Sequence, residues 1–462
     1  MSRTEDDLIR RTRRIVLATV VLLACALVGS VVWWRLHLSH EVNARLRALQ
    51  RAGLPTSGSE LNQWYAAVPD AENAALVMTQ AFALMRTFPD QRSNEVSRFK
   101  PPPRGQPLTL DQIQLLSNYV NLNAAALERA AEAVTLPRSR FPTDLSPGLD
   151  ALLPHLSKIK TLAQTVSHQA RLAIDAQRAP DATRCLQTLL GLAHTLDSEP
   201  LLISQLVRIA ILRIARDTLQ LRFNAGNTSE SELTDLPSAF ASAEQTNLMV
   251  RALAGEQAMA IPYFHMNWAQ LSRLAETWRE SADSPGDPPL RGGQSVLFGV
   301  TGFFERDLQF YLSVMRTNIA LASLGPPASL TVTNLDKSVE SRIRSRHYVL
   351  SGLFLPALSR ALVKEAEGVA TVRICATALA LERFRLATDH LPKDLSELVP
   401  RFLPAVPLDP FDGAPIRCKP LAKGYVVYSI GPDGHDDGGK EPPIGRSSSG
   451  QVPQDITFTV ER

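Results

Sequence analysis

The chain has 462 residues, 45% of them hydrophobic and 21% charged, with a formal net charge of +3. That length exceeds what one core serves, so two or three packed units are expected. Its Lys and Arg are interspersed with acids rather than massed, which removes the usual basis for nucleic-acid binding.

Taken in order, residues 1–14 form a short tail carrying Arg10, Arg11, Arg13 and Arg14. Residues 15–34 then carry no charge. A helix of that length, rising ~1.5 Å per residue, spans a ~30 Å hydrocarbon core. Trp33 and Trp34 close the run as interfacial aromatics do. A transmembrane helix over 15–35 is therefore predicted, with the lipid bilayer as its partner. The apolar core of a cleaved signal peptide is ~7–15 residues, shorter than this run, so an uncleaved anchor is expected. The basic tail favours a cytoplasmic N-terminus in the inner membrane and a body on the periplasmic side. Arg35, Arg45, Arg47 and Arg51 follow the span and weaken that asymmetry.

Residues 36–105 read as a stalk and first helices. The polar stretch 39–52 continues the helix out of the membrane, and Gly53-Leu54-Pro55 stops it. Asp70 reads as the N-cap of a helix running to Met85, with Trp64 and Tyr65 packed against it. The prolines at 101–103 mark a loop. A helix is expected from Thr109 to about Ala133, then irregular chain over 137–147.

Residues 106–350 read as an irregular helical array. Its strongest part, 154–222, shows three apolar stripes. They are Leu156, Ile159, Ala163, Val166, Ala170 and Ala173; Cys185, Leu189, Leu192 and Leu196; and Leu202, Leu206, Ile209, Ile214 and Leu221. Short turns between them imply antiparallel neighbours. His155, His168 and His194 lack metal-ligand spacing and read as structural. A further helix is expected over 233–259, an exposed loop over 281–294, a helix carrying Phe303, Phe304, Phe310 and Tyr311, and a basic helix over 335–348.

Residues 351–462 begin with one long helix over 358–388. A short capped helix over 391–400 and a proline-rich loop follow it. Strands are expected over 416–419, 425–430 and 456–460, forming a small antiparallel sheet on the long helix. None of Cys25, Cys185, Cys375 and Cys418 is in CxxC spacing, so zinc and thioredoxin-type chemistry lack support. The three cysteines outside the apolar run read as free buried thiols. The fold class is thus mainly α: an N-terminal transmembrane helix, a helical array and a C-terminal α+β module.

Within residues 371–462, four features recur in order: Leu391-Pro392, Leu403-Pro404 with Pro407-Leu408-Asp409-Pro410, Tyr428-Ser429-Ile430-Gly431-Pro432-Asp433-Gly434, and a closing Asp455-Ile456. This sequence of features resembles the C-terminal half of the major pseudopilin of type II secretion systems. The resemblance implies a helix-plus-sheet module and a bound calcium ion. Its implied ligands are Asp433, with Asp436, Asp437 and Asp455 as nearby carboxylates. Calcium takes ~6–8 hard oxygens, and the surrounding glycines would let the backbone curl around it. The pseudopilin Gly and Glu at the membrane helix are absent from Arg14-Ile15-Val16-Leu17-Ala18-Thr19. Only the fold of the module is therefore carried over. The whole chain also resembles large membrane-anchored bacterial proteins, through Glu60-Leu61-Asn62, Trp64-Tyr65 and Glu199-Pro200-Leu201-Leu202. That likeness implies architecture and no activity.

The leading functional expectation is a cell-envelope scaffold or interaction protein with other envelope proteins as partners. Two alternatives stand beside it. One is an envelope enzyme using carboxylates such as Glu72, Glu256 or Glu365, although no nucleophile elbow, P-loop, dinucleotide or zinc motif occurs. The other is a divergent secretion-system component.

Overall fold

The computed structural model describes residues 2–89, 92–226, 228–266, 270, 302–441 and 455–462. The loop expected over 281–294 lies outside them. The protein is mainly helical, with a three-stranded antiparallel sheet near its C-terminus.

The anchor is one unbroken helix, Ser2–Arg51, that is long and apolar enough to cross a membrane. Its apolar side chains face outward; Leu22 is 71% exposed. The segment expected to be a polar stalk does not stand free. Leu38 and Val42 are buried, and the helix Phe303–Leu324 packs along this end of the anchor. Arg35 pairs with Glu305 at 2.6 Å, and Gln309 Nε2 donates to Glu41 at 2.6 Å. Gly53, at φ +72°, supplies the left-handed residue that ends the helix.

Two helix boundaries differ from expectation. Asp70 opens only a 3-10 turn, Asp70–Glu72, whereas the helix Ala74–Leu84 is capped by Asn73. Asn73 Oδ1 accepts from Ala75 N at 3.1 Å and from Arg140 N at 2.9 Å, and Nδ2 donates to Arg140 O at 3.0 Å. The distant segment at Arg138–Arg140 therefore selects the cap. The helix expected from Thr109 to Ala133 is two, Leu110–Leu122 and Ala124–Ala133. The break falls at Asn123, whose side chain is spent on the Arg86 backbone. Likewise, the expected 233–259 helix is three pieces, Glu230–Leu233, Leu236–Ala243 and Leu248–Ala260.

Helices Pro154–Asp175, Ala179–His194 and Leu202–Asn224 pack as successive neighbours. Every residue of the first two predicted stripes is buried. The third stripe is rotated. Leu206, Ile214 and Leu221 are half-buried, while Ile211, Leu212, Ala215, Leu219 and Phe223 reach the core. That helix touches its two predecessors, the helix Pro356–Thr388 and the sheet, so its apolar surface is not confined to one stripe.

The helix Pro356–Thr388 reaches into both of the two largest cores, as Leu202–Asn224 does through Leu202 at its start. The first turns of Pro356–Thr388 put Leu358, Ala361 and Leu362 into an anchor-side core with Val42, Leu253, Phe264, Leu308 and Tyr311. Its later turns put Ala370, Cys375, Leu379 and Phe384 into a larger core shared by the helical array and the sheet.

The strands are β1 (Arg417–Leu421), β2 (Gly424–Ser429) and β3 (Ile456–Glu461), in that order across the sheet. In register, Cys418 faces Val427 and Val427 faces Phe458. Gly424 sits at φ +158° with Val460 O only 1.9 Å from where a Cβ would be, so no side chain fits there. Tyr425, Val427, Phe458 and Val460 enter the larger core. The outer edge of β3 is not left bare. Gln220 Oε1 accepts from Thr459 N at 2.9 Å, and Asn224 bonds both Thr459 O and Glu461 N at 2.8 Å.

Candidate functional site

The acidic loop after β2 lies against the outer face of the sheet. Gly439 is packed so closely that a Cβ there would meet Tyr428 at 2.9 Å and Val426 at 3.1 Å. Asp433 Oδ1 accepts from His435 N at 3.1 Å, closing a local turn. Asp455 is buried, and its two oxygens accept from Gly439 N at 2.7 Å and Asp437 N at 3.4 Å. Burial raises its pKa against the pull of those two N–H groups. For Asp436, burial is outweighed. The Gly438 N–H, the Tyr428 hydroxyl and the Arg417 guanidinium hold it below the ordinary carboxylate range.

Arg417, on β1, is the residue the sequence reading passed over. Its guanidinium meets Asp409 at 3.1 Å, Asp412 at 2.6 Å and Asp436 at 3.1 Å. Asp409 is fully buried and also accepts from Ser429 Oγ at 2.8 Å, Ile430 N at 2.9 Å and Phe411 N at 3.0 Å. A buried carboxylate needs this many donors to offset its lost hydration. The signal was present in Asp409-Pro410-Phe411-Asp412, with Arg417 a few residues on.

The four proposed calcium ligands do not converge as a cage. Asp436 is engaged by a guanidinium, both Asp455 oxygens accept backbone N–H bonds, and Asp433 serves its own turn. Among the described residues no group of three or more His, Cys, Asp or Glu side chains could hold a metal ion. This donor set does not fit the oxygen cage that calcium takes.

The carboxylates considered for catalysis are scattered. Glu72 is half-buried and lies 3.5 Å from Arg138. Glu256 accepts from Leu202 N at 3.1 Å, capping the helix that begins there, and burial raises its pKa. Glu365 stands in a cleft between Leu202–Asn224 and Pro356–Thr388, near Arg208 and Glu244. Burial pushes it up to about 7, with Arg208 opposing, and its Oε2 has no partner among the described residues. Arg208 itself is spent on Asp197 and the Ala243 carbonyl.

The histidines have structural roles. His155 is buried, bonds Glu199 at 2.9 Å and stacks on Phe141. His194 bonds Asp197 at 2.6 Å, which raises its pKa. His168 meets Phe99 edge-on, and burial, then Arg171, lowers its pKa to about 4. All four cysteines are free thiols; Cys185 and Cys375 are buried, as expected, whereas Cys418, on strand β1, is only half-buried.

No known family model matches the chain, and no curated protein or solved structure matches it.

Proposed function

We propose that the protein is a membrane-anchored scaffold of the bacterial cell envelope, with its N-terminus in the cytoplasm and its body outside the inner membrane. One observation carries this reading. A helix apolar and exposed over its membrane-length stretch runs without a break into a folded body, and that body packs on the end of it. Such a junction fixes the body at a set height over the bilayer, which suits a protein that presents surfaces to other envelope proteins. The basic tail supports the orientation. The helix followed by a three-stranded antiparallel sheet supports a pseudopilin-like module.

Glu365 favours a second reading, an envelope enzyme. A carboxyl that titrates near neutrality inside a cleft is what general acid–base chemistry requires. The scaffold reading is preferred because the cleft brings no second unengaged titratable group to Glu365 among the described residues. Glu244, also on its wall, is bound by Arg373.

Protease protection in spheroplasts tests the topology. A C-terminal tag should be digested from outside, and an N-terminal tag should survive until the membrane is breached. A protected C-terminal tag, or a chain released as a soluble product lacking residues 1–34, would refute it.

A further inference from the structure

Where the anchor helix meets the body, a cleft of about 230 Å³ opens between the helix end and Phe303–Leu324. Leu49, Leu54, Leu312 and Ile319 give it apolar walls. Arg45 and Arg316, both exposed, also line it, and among the described residues no Asp or Glu does. Arg45 spends one N–H on Gln309 O at 3.0 Å. Among the described residues, Arg316 forms no ion pair or hydrogen bond. Gln257, only 2% exposed, lines the cleft from the helix Leu248–Ala260. Its amide can both donate to and accept from the polar end of a guest.

We propose that this cleft binds a single-chain anionic amphiphile: a long-chain carboxylate or phosphate monoester. The head sits between Arg45 and Arg316, the Gln257 amide bonds its polar end, and the chain lies along the leucines. Charge complementarity selects the anion, and a guanidinium pair suits a planar carboxylate or a phosphate. The position suits the guest as well. Arg45 lies about 16 Å along the helix from Trp34, the end of the membrane-length run, at ~1.5 Å per residue. This proposal goes beyond the scaffold reading and does not depend on which side of the membrane the body occupies.

The test uses the full chain in nanodiscs of phosphatidylcholine, with dodecanoate, dodecyl phosphate, dodecanol and dodecyltrimethylammonium as probes. The two anions should raise the melting temperature saturably by several degrees, and the alcohol and the cation should not. Arg316→Glu should weaken dodecanoate binding at least tenfold. Ala48→Trp, which fills the cleft and leaves its charges intact, should abolish binding while melting remains cooperative. Discs containing phosphatidylglycerol test whether a two-chain bilayer lipid takes the site instead. The dodecanoate response should be unchanged in them; a raised starting melting temperature with a blunted dodecanoate response would assign the cleft to bilayer lipid and overturn the single-chain guest. Equal shifts with dodecanol, or a dodecanoate shift that survives both substitutions, would mean partition into the disc and would overturn the proposal, as would no shift at all.

Discussion

The anchor-side and sheet-side cores share a helix but are held differently. The sheet-side core is pinned at its margins by buried ionic groups. Arg417 joins Asp409, Asp412 and Asp436. Fully buried Glu382 takes Arg462 at 3.0 Å and the Tyr425 hydroxyl at 3.0 Å, and His155 takes Glu199. The anchor-side core is instead an aromatic cluster, with Phe264, Tyr311, Phe354 and Tyr263 in tilted and edge-on contacts. Its clearest polar pin is Asp307, which accepts from Leu350 N at 2.9 Å and Ser351 N at 3.2 Å. Directional pins fix one arrangement and tolerate little, whereas aromatic packing is less exacting and here leaves an opening at its edge.

The contrast can be broken most forcefully at Arg417. Arg417→Ala leaves Asp409 buried without its cation, and losses of about 3–5 kcal/mol follow from breaking such a pair. Urea unfolding of the full chain should show this loss. Added calcium should change neither wild-type unfolding nor melting, because the arginine already supplies the positive charge. A calcium-dependent rise specific over magnesium would show that the loop holds an ion after all.

Leu362→Ala sharpens the comparison from the other side. Leu362 is fully buried in the anchor-side core, and such truncations cost about 2–5 kcal/mol. Hydrogen exchange should quicken at Leu248–Ala260 and Phe303–Leu324 more than at Pro154–Asp175. Uniform quickening would mean that the two cores unfold as one and that the distinction between them has no energetic content.

The smallest effect belongs to Glu365, which sits between the cores. Its pKa is raised in the fold, so the neutral form is favoured there. The associated stability is full below about 4.5 and is lost as pH rises through about 7. Glu365→Gln should therefore gain about 1–3 kcal/mol at pH 8 and nothing near pH 4. A gain that does not vary with pH would remove titration as the cause.

Much of this was legible from pattern alone. An uncharged run of membrane length, two clean stripes and three β-rich segments each carry their own periodicity, and each appears where expected. What failed was what distant chain decides. Asp70 and Asn73 are both competent caps, and the choice fell to Arg140, far along the sequence. The third stripe turned because its helix is flanked by helices and sheet together. The carboxylates and glycines of the acidic loop are visible locally, but the pairing of Asp436 with Arg417 depends on how the strands meet across the hairpin.

The helix Pro356–Thr388 walls both cores, yet in chain order it comes after every helix of the array that packs on it. During synthesis those earlier helices therefore have oily faces left uncovered until it emerges, which makes its arrival the step that completes both halves.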